Sequence, residues 1–450
     1  MNRSPLRRAS GRILFFLAVL ALVAQGVAGA AQPAAAAPKF KTADGRAEAI
    51  VELEPGSDPS MAAAALGLTP RHVYRGVISG FAADLPADAV ARLRADSRVR
   101  SVTPDGKVSI QGRRVGPEIA ADAEAKTQRA STGVGRIGTV LPKKDFDIDV
   151  AIIDTGVGPS DDLNIAGGFS CLKPDTVGSQ KKGKGKGSGK GGSGGVGLPD
   201  YSDGESHGTH VAGIVAAINN KDGVVGIASG ARIWAVRVLG SSGTGKWSDV
   251  VCGLDWVYAN RATIEVVNMS LAGNGTDSGK CSDLPVHKAI CQLVNKAGIP
   301  VVVAAGNQSK LASTRIPAAY AEVIAVSAFS DSDGRPGGLG PQSCEYNADD
   351  SFWGSSNFGP AVDVAAPGDC ILSITPRGLA RYSGTSMATP HVTGAIARFL
   401  TVVNPSATPA QVRAWLLSDG SRPQQAFEGF SGGKSSEQAL WLGPAPVPTP

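Results

Sequence analysis

Two rhythms of apolar residues divide the chain. Between residues 39 and 112 short patterned segments follow one another closely. They predict a strand over Ala47–Glu52, a helix over Ser60–Leu66, a strand over Val77–Leu85, a helix over Asp88–Ala95 introduced by Pro86, and a strand over Arg98–Thr103 closed by Pro104-Asp105-Gly106. That order is a ferredoxin-like split βαβ arrangement, a small α+β unit. From about residue 133 the apolar runs stop alternating. Asp149–Ile153, Ile233–Val238, Glu265–Met269, Pro300–Ala304 and Val323–Val326 are predicted as strands covered on both faces, with helices over His210–Ala217, Trp247–Asn260 and Pro285–Ala297 between them. The fold class expected is therefore α/β, a doubly wound parallel sheet preceded by the small α+β unit. Sites in such sheets gather at the carboxyl ends of strands. Asp154 directly follows one strand there, and Asn307 follows another after the turn Ala305-Gly306. Residues 111–130 are polar, Ala-rich and weakly patterned, which predicts an exposed linker open to cleavage.

Composition sets the class. The 450 residues are 42% hydrophobic and 18% charged, enough apolar surface for a large core and more than one folded unit. Net charge is +5, but much of the excess lies in the first dozen residues and in a Lys/Gly run at 181–190, so charge points to no nucleic-acid partner. Residues 1–30 read as an export signal. Arg3, Arg7, Arg8 and Arg12 precede an apolar run from Ile13 to Ala24, and small residues follow at Ala28-Gly29-Ala30. The run is short for a bilayer span, so no stable membrane segment is expected after its removal and the product is expected outside the cell. Residues 31–38 form an Ala/Pro linker, 178–197 a Gly/Lys/Ser surface loop, and 426–450 a Pro-rich tail. The six cysteines all lie beyond residue 150, and export makes disulfides the default. Fifteen pairings are open. Cys281 with Cys291, Cys344 with Cys370 and Cys171 with Cys252 is the expected set.

Three Gly/Thr-rich turns carry candidate chemistry: Asp154-Thr155-Gly156, His207-Gly208-Thr209-His210, and Ser383-Gly384-Thr385-Ser386-Met387-Ala388-Thr389-Pro390-His391. A serine hydroxyl needs a histidine to accept its proton and a carboxylate to hold that imidazole in one tautomer. A serine at a helix N-terminus also sits beside free backbone N–H groups suited to a developing oxyanion. Singly these turns are ambiguous, since Asp154 can close a turn and His207 can cap a helix. His210 and His391 read as packing residues. Together they form a Ser/His/Asp set in the chain order of subtilisins.

The chain resembles the subtilisin-like serine peptidase family over roughly residues 127–420. Beside the three turns, Val267-Asn268-Met269-Ser270-Leu271, Ala304-Ala305-Gly306-Asn307 and Val364-Ala365-Ala366-Pro367-Gly368 resemble family blocks in the right order. The resemblance implies Asp154 as orienting carboxylate, His207 as general base then acid, Ser386 as nucleophile, and Asn307 as oxyanion donor. It implies peptide binding between Gly243, Thr244, Gly245 on one side and Ser270, Leu271, Ala272 on the other. Trp247 reads equally as the border of the pocket for the fourth residue upstream of the cut and as a core aromatic. Arg315 falls near the expected floor of the primary pocket, where acidic side chains would suit it. A salt-bridged or solvent-facing Arg315 is the competing reading.

A structural Ca²⁺ is implied as well. Ile218-Asn219-Asn220-Lys221-Asp222-Gly223-Val224 resembles the family's calcium loop, Asp162 matches its carboxylate and Gln128 its N-terminal ligand. Gln128, Asp162, Ile218, Asn220, Asp222 and Val224 are the expected ligand set, with Asp222 needed only for its carbonyl. Asp331-Ser332-Asp333-Gly334 begins like an EF-hand loop but lacks the glutamate such a loop requires. Residues 39–112, through Val77-Ile78-Ser79-Gly80-Phe81 and Val102-Thr103-Pro104-Asp105, resemble the family's inhibitory propeptide. Such a segment is removed by self-cleavage, here expected between about 106 and 127. Residues 113–425 are then the peptidase domain, and an insertion at 334–352 departs from the simplest members. The expected protein is a secreted, monomeric, calcium-stabilised serine endopeptidase made as a zymogen. Its partners are protein or peptide substrates and its own propeptide. A binding protein on an inactive peptidase fold and a serine hydrolase of esters or lipids are the rival readings.

Overall fold

The protein is described by a computed structural model over residues 46–86, 88–120, 128–139, 144–172, 200–279, 281, 284–423 and 437–443. The export signal, the 31–38 linker, the 178–197 loop and residues 444–450 of the tail lie outside the described residues.

In the N-terminal unit, β1 (Ala47–Leu53), α1 (Pro59–Ala65), β2 (His72–Tyr74), β3 (Gly80–Leu85), α2 (Ala89–Ala95) and β4 (Val99–Pro104) build an antiparallel sheet in the order β2-β3-β1-β4. Its inward positions Ala49, Val51, Phe81, Ala83, Leu85 and Leu93 form a separate small core. The unit begins its third strand at Gly80 rather than Val77, and the three-residue β2 was too short to predict. Two further strands follow, β5 (Lys107–Ile110) and β6 (Arg113–Ala120). The second lies within 111–130, expected as a weakly patterned exposed linker, and makes its first part a paired strand.

The large sheet is built from β7 (Asp149–Asp154), β8 (Ile165–Ser170), β9 (Arg232–Arg237), β11 (Val266–Met269), β13 (Val301–Ala304), β14 (Ile324–Ser330), β15 (Val364–Pro367), β18 (Ser421–Pro423) and β19 (Gln438–Leu440). Two strands of the upper rim stand apart from it, β10 (Thr244–Lys246) and β12 (Leu271–Asn274). The sheet order is β18-β19-β15-β14-β13-β11-β7-β9-β8, parallel along this path except at β18, and Ser351–Phe352 adds a short antiparallel pairing to β14. Every residue of β7, β11 and β13 is buried, as expected for strands covered on both faces. Among the described residues α3 (His207–Ala216) and α6 (Thr385–Val402) pack on one face, α4 (Trp247–Ala259) and α5 (Pro285–Cys291) on the other. Gln438–Leu440 corrects the reading of everything after 425 as tail. It adds a strand between β15 and β18 whose Ala439 and Leu440 are fully buried. No helix among the described residues is long and apolar enough to cross a membrane.

The three expected disulfides are present, Cys171–Cys252, Cys281–Cys291 and Cys344–Cys370. The last ties the insertion to the strand end before β16 (Ile371–Thr375). The same insertion is held from within by Arg136, whose buried Nε donates to Asp350 Oδ1 at 2.5 Å. Asp369 holds it too, accepting from Ser343 Oγ at 2.6 Å and Asn347 Nδ2 at 2.7 Å. The segment is thus anchored at both ends and in the middle. The acidic start Asp331-Ser332-Asp333-Gly334 serves this anchoring, with Gly334 N donating to Asp331 Oδ1.

A cleft threaded by its own chain

Each candidate side chain is placed by the end of a secondary element. β7 ends on Asp154, which is fully buried. α3 begins on His207, and its N-terminus is fixed by Asp203. That carboxylate accepts from Glu205 N at 2.9 Å and Ser206 N at 2.8 Å through Oδ1, and from Thr209 N at 2.9 Å and Thr209 Oγ1 at 2.6 Å through Oδ2. An acid facing the first turn satisfies N–H groups that have no partner inside the helix. Asp203 was missed from sequence, although an acid just ahead of a helix start is a recognised signal.

Ser386 is the second residue of α6. Four residues on, Pro390 lacks the N–H that would close the helical bond to the Ser386 carbonyl. That carbonyl instead accepts from Ser270 Oγ at 2.9 Å, so the proline couples the Ser386 turn to the start of β12. Gly384 at the helix start has φ +152°, and a Cβ there would lie 2.3 Å from the Gln111 carbonyl oxygen. Any side chain at that position collides with the strand crossing the cleft.

His207 Nδ1 lies 2.8 Å from Asp154 Oδ1, which also accepts from Thr155 N at 2.7 Å. Burial pushes the imidazole pKa down, but the charge and hydrogen bond of Asp154, with the charges of Glu205 and Asp203, lift it above the ordinary histidine value. Nδ1 therefore carries the proton facing Asp154, and Nε2 has no hydrogen-bond partner among the described residues. Ser386 Oγ donates to the Ser270 carbonyl at 2.9 Å and accepts from Gln111 N at 2.8 Å. His210 and His391 are structural, as read from sequence. His210 Nε2 faces the carbonyls of Ile371 and Ala380, His391 Nδ1 faces that of Met387, and burial lowers their pKa values to about 3 and about 4.

The strand β5 lies in the cleft between β10 and β12. Thr244 pairs with Ser109 and Gly245 with Val108 on one side, and Leu271 with Ile110 and Ala272 with Ser109 on the other, all antiparallel. Ile110 N donates to Gly243 O at 3.0 Å and Gln111 N to Ser270 O at 3.2 Å, so all six expected strand-edge residues flank β5. Val108, the fourth residue counting back from Gln111, is buried in one apolar cluster with Trp247 and Leu271. Trp247 is thus both a core aromatic and a wall of that position. At Gln111 the carbonyl oxygen accepts from Ser386 N at 2.8 Å and from Asn307 Nδ2 at 2.7 Å. The Asn307 amide cannot turn over. Its Oδ1 is held by Thr385 N at 3.0 Å and Thr385 Oγ1 at 2.8 Å, which aims Nδ2 at the carbonyl. Thr385 is a second residue not singled out from sequence.

The Gln111 side chain is buried and accepts from Gln308 Nε2 at 3.2 Å. Arg315 stands elsewhere. Its guanidinium donates to Asn274 Oδ1 and lines a groove with Lys107, Val108 and Ser109, beside residues further upstream than Gln111. Past Gln111, Gly112 passes His207 Nε2 and the Ser386 side chain, its Cβ direction ending 3.0 Å from that nitrogen. The chain then enters β6, which pairs antiparallel with β17 (Gly378–Ser383).

The residues expected to hold calcium also converge. Gln128 Nε2 lies 2.7 Å from Ile218 O, 3.2 Å from Asp222 O, 3.3 Å from Val224 O and 3.4 Å from Asn220 Oδ1. Asp162 joins the cluster through Asn220 Nδ2 at 3.0 Å. Burial, with the nearby charge of Asp222, raises its carboxyl pKa to about 7. Gly223, at φ +61°, has no side chain because a Cβ would lie 2.5 Å from Asp162 Oδ2. Three backbone carbonyls, the Asn220 side-chain oxygen and the Asp162 carboxylate gathered around the Gln128 amide form an oxygen-rich set that suits a hard cation.

Comparison with known proteins agrees with this architecture. The model of the Subtilase family matches residues 146–431, and that of Peptidase inhibitor I9 matches residues 64–111. Subtilisin NAT of Bacillus subtilis subsp. natto and subtilisin E of Bacillus subtilis (strain 168) are each 38% identical to the chain over 286 residues, 62% of this chain and 62% of theirs. The chain thus spans less than two thirds of the length of those relatives. The alkaline protease of Shouchella clausii is 34% identical over 335 residues, 73% of this chain and 71% of its own. Among solved structures, a cold adapted subtilisin-like serine proteinase superposes with a TM-score of 0.51 at 29% identity, covering 70% of this chain and 98% of that one. With nearly two thirds of its length matched to the family, the chain belongs to the subtilases and carries a Peptidase inhibitor I9 unit ahead of the matched region.

Proposed function

We propose that the chain is the precursor of a secreted, monomeric serine endopeptidase that cuts its own Gln111–Gly112 bond, with Asp154, His207 and Ser386 as triad and Asn307 as oxyanion donor. One arrangement supports this above all others. An unbroken peptide places its Gln111 carbonyl oxygen between two N–H donors while His207 Nε2 faces Gly112.

In the reaction, Ser386 Oγ turns about its Cα–Cβ bond from the Ser270 carbonyl toward His207 Nε2, gives up its proton there, and bonds to the Gln111 carbonyl carbon. Asp154 holds the resulting imidazolium through Nδ1–H. The oxyanion keeps the two donors that the carbonyl already has, so little reorganisation is needed as charge develops. His207 then passes its proton to the Gly112 nitrogen and the C–N bond breaks, leaving Gln111 as an acyl group on Ser386. A water activated by the same imidazole hydrolyses that ester. External protein substrates follow the same course, with a strand of their own between β10 and β12. The N-terminal unit acts as inhibitor because it fills the cleft with β5 and grips α4 from outside. Asp105 Oδ1 accepts from Ser248 N at 2.9 Å, and Asp255 Oδ1 accepts from Gly76 N at 2.7 Å and Val77 N at 2.8 Å.

The test is to treat the secreted protein with a fluorophosphonate and weigh it intact. A chain starting at or after Gly112 and carrying one adduct on Ser386 is the expected result. A processed chain that takes no adduct would sink the reading in favour of a binding protein.

A structural Ca²⁺ would be held by Gln128, Asp162, Asn220 and the carbonyls of Ile218, Asp222 and Val224. When bound it supplies positive charge to the half-buried Asp162 carboxylate and ties the segment at Gln128 to the loop after α3. At an ion concentration a hundredfold above Kd the gain is about 2.7 kcal/mol. Chelation is therefore expected to lower the melting temperature of the protein by about 5–10 °C. The Asp162→Asn variant should show a much smaller chelator effect, and an equal effect in both would remove the ion from this loop.

A further inference from the structure

We propose that Glu345, carried on the insertion, is a specificity residue on the far side of the cut, selecting arginine or lysine as the second residue after the scissile bond. The proposal deepens the peptidase reading and rests on Gln111–Gly112 being the bond cut.

That second residue is Arg113, the first residue of β6. Its pairing with Ser383 sets it beside the turn that leads into Ser386. Its Nη2 forms an ion pair with Glu345 Oε1. The two partners differ in how they are held. The Arg113 side chain is 64% exposed and reaches the pair from solvent, whereas that of Glu345 is 10% exposed. Trp353 Nε1 donates to Glu345 Oε2 at 3.3 Å, and Glu345 N donates to Ser343 Oγ at 3.2 Å. The residue before it, Cys344, is joined by its disulfide to Cys370, whose N donates to Ser383 Oγ at 2.9 Å. The carboxylate is therefore fixed to the same strand end that receives the peptide. Its acidic neighbour Asp369 is occupied by Ser330, Ser343, Asn347 and Ser383, which leaves Glu345 as the acid facing the arriving side chain.

A fixed, largely desolvated carboxylate meeting a mobile cation is the arrangement of a recognition pocket. The ordering cost falls on the ligand side chain alone, and a charge-assisted bond forms where water is partly excluded. Burial also pushes the Glu345 carboxyl up, a penalty that an incoming cation offsets. The expected selectivity for a basic over a neutral residue is about threefold to tenfold in rate.

The test uses the full chain and its own processing. On refolding from denaturant, the fragment ending at Gln111 is followed by mass in the wild type, Arg113→Glu, Glu345→Arg and the double variant. Each single variant is expected to process about threefold to tenfold more slowly, and the double variant to return to within about twofold of wild type. Wild-type rates in both single variants, or a double variant as slow as the product of the two, would overturn the proposal. Melting temperatures identify a single variant that is merely unstable. For that case a second measurement uses quenched peptides of sequence Lys-Val-Ser-Ile-Gln-Gly-X. The rate ratio of X = Arg to X = Ala should exceed about three in the processed wild type and fall to about one in Glu345→Gln. Equal ratios in both overturn the proposal while leaving the peptidase reading intact. A wild-type chain that never processes and cuts no peptide overturns both.

Discussion

Replacing Ser386 by alanine is expected to leave the chain uncut, with the fragment ending at Gln111 absent from its mass spectrum for as long as wild type needs to process completely. The loss should be about 10⁶-fold in rate, the size measured for the nucleophile in subtilisin itself. The reason lies in what alanine keeps and what it removes. The Ser386 N–H stays on the Gln111 carbonyl, as does Asn307 Nδ2, so the peptide remains bound and polarised. Only Oγ is lost, with its bonds to Gln111 N and the Ser270 carbonyl. The variant should accordingly fold, resist unfolding as well as the uncut wild type, and take no fluorophosphonate. Cleavage at Gln111–Gly112 at a comparable rate in Ser386→Ala would mean that another group performs the chemistry.

Asn307→Ala is expected to slow the same cleavage by about 10²–10³-fold, equivalent to about 3–4 kcal/mol of transition-state stabilisation, again the magnitude known from a subtilisin. Here the donor is lost but the nucleophile remains, so fluorophosphonate labelling should persist at reduced rate. Thr385 supplies the internal control. Because its N–H and hydroxyl hold Asn307 Oδ1, Thr385→Val removes one of the two restraints without touching the amide that faces the carbonyl. Its effect should be smaller than that of Asn307→Ala and should vanish in the Asn307→Ala background. An additive loss in the double variant would show that Thr385 acts by some route other than aiming the amide.

What could be read from sequence was what local pattern determines. Uninterrupted runs such as Val150–Ile153 and Val301–Ala304 marked central strands because both faces are covered, and the Gly-rich turns after them marked the strand ends that bring Asp154 and Asn307 into the cleft. The strand edges around β5 were legible through resemblance in segments only a few residues long. Arg113–Ala120 was not. It holds two adjacent arginines, a glycine and a proline, and Val115 and Ile119 are too few to mark a strand. Its pairing comes from the free edge of β17, a partner remote in the chain, so tertiary contact overrides local preference. Gln438–Leu440 escaped for a simpler reason, since three residues carry no period. Gln308 and Glu345 gave no signal at all, because a polar residue in a loop is informative only once it is known what it faces. Arg315 shows the reverse error: counting along the loop placed it near the primary pocket, whereas its pairing opposite Asn274 turns it toward residues further upstream.

The two strands that meet at the proposed cut have different fates in solution. β5 is bound through β10 and β12, and once the bond after Gln111 is broken it belongs to a separate molecule. β6 stays in one polypeptide with α6, whatever happens at Gly112. Loss of the first is a dissociation, favoured by dilution and reversed by added inhibitor fragment. Loss of the second is a unimolecular opening whose equilibrium no dilution can shift, because the tether keeps the strand at an effective concentration in the millimolar range. The far side of the cleft is thus governed by protein stability and the near side by protein concentration, so one cleavage event leaves two barriers of different kinetic order.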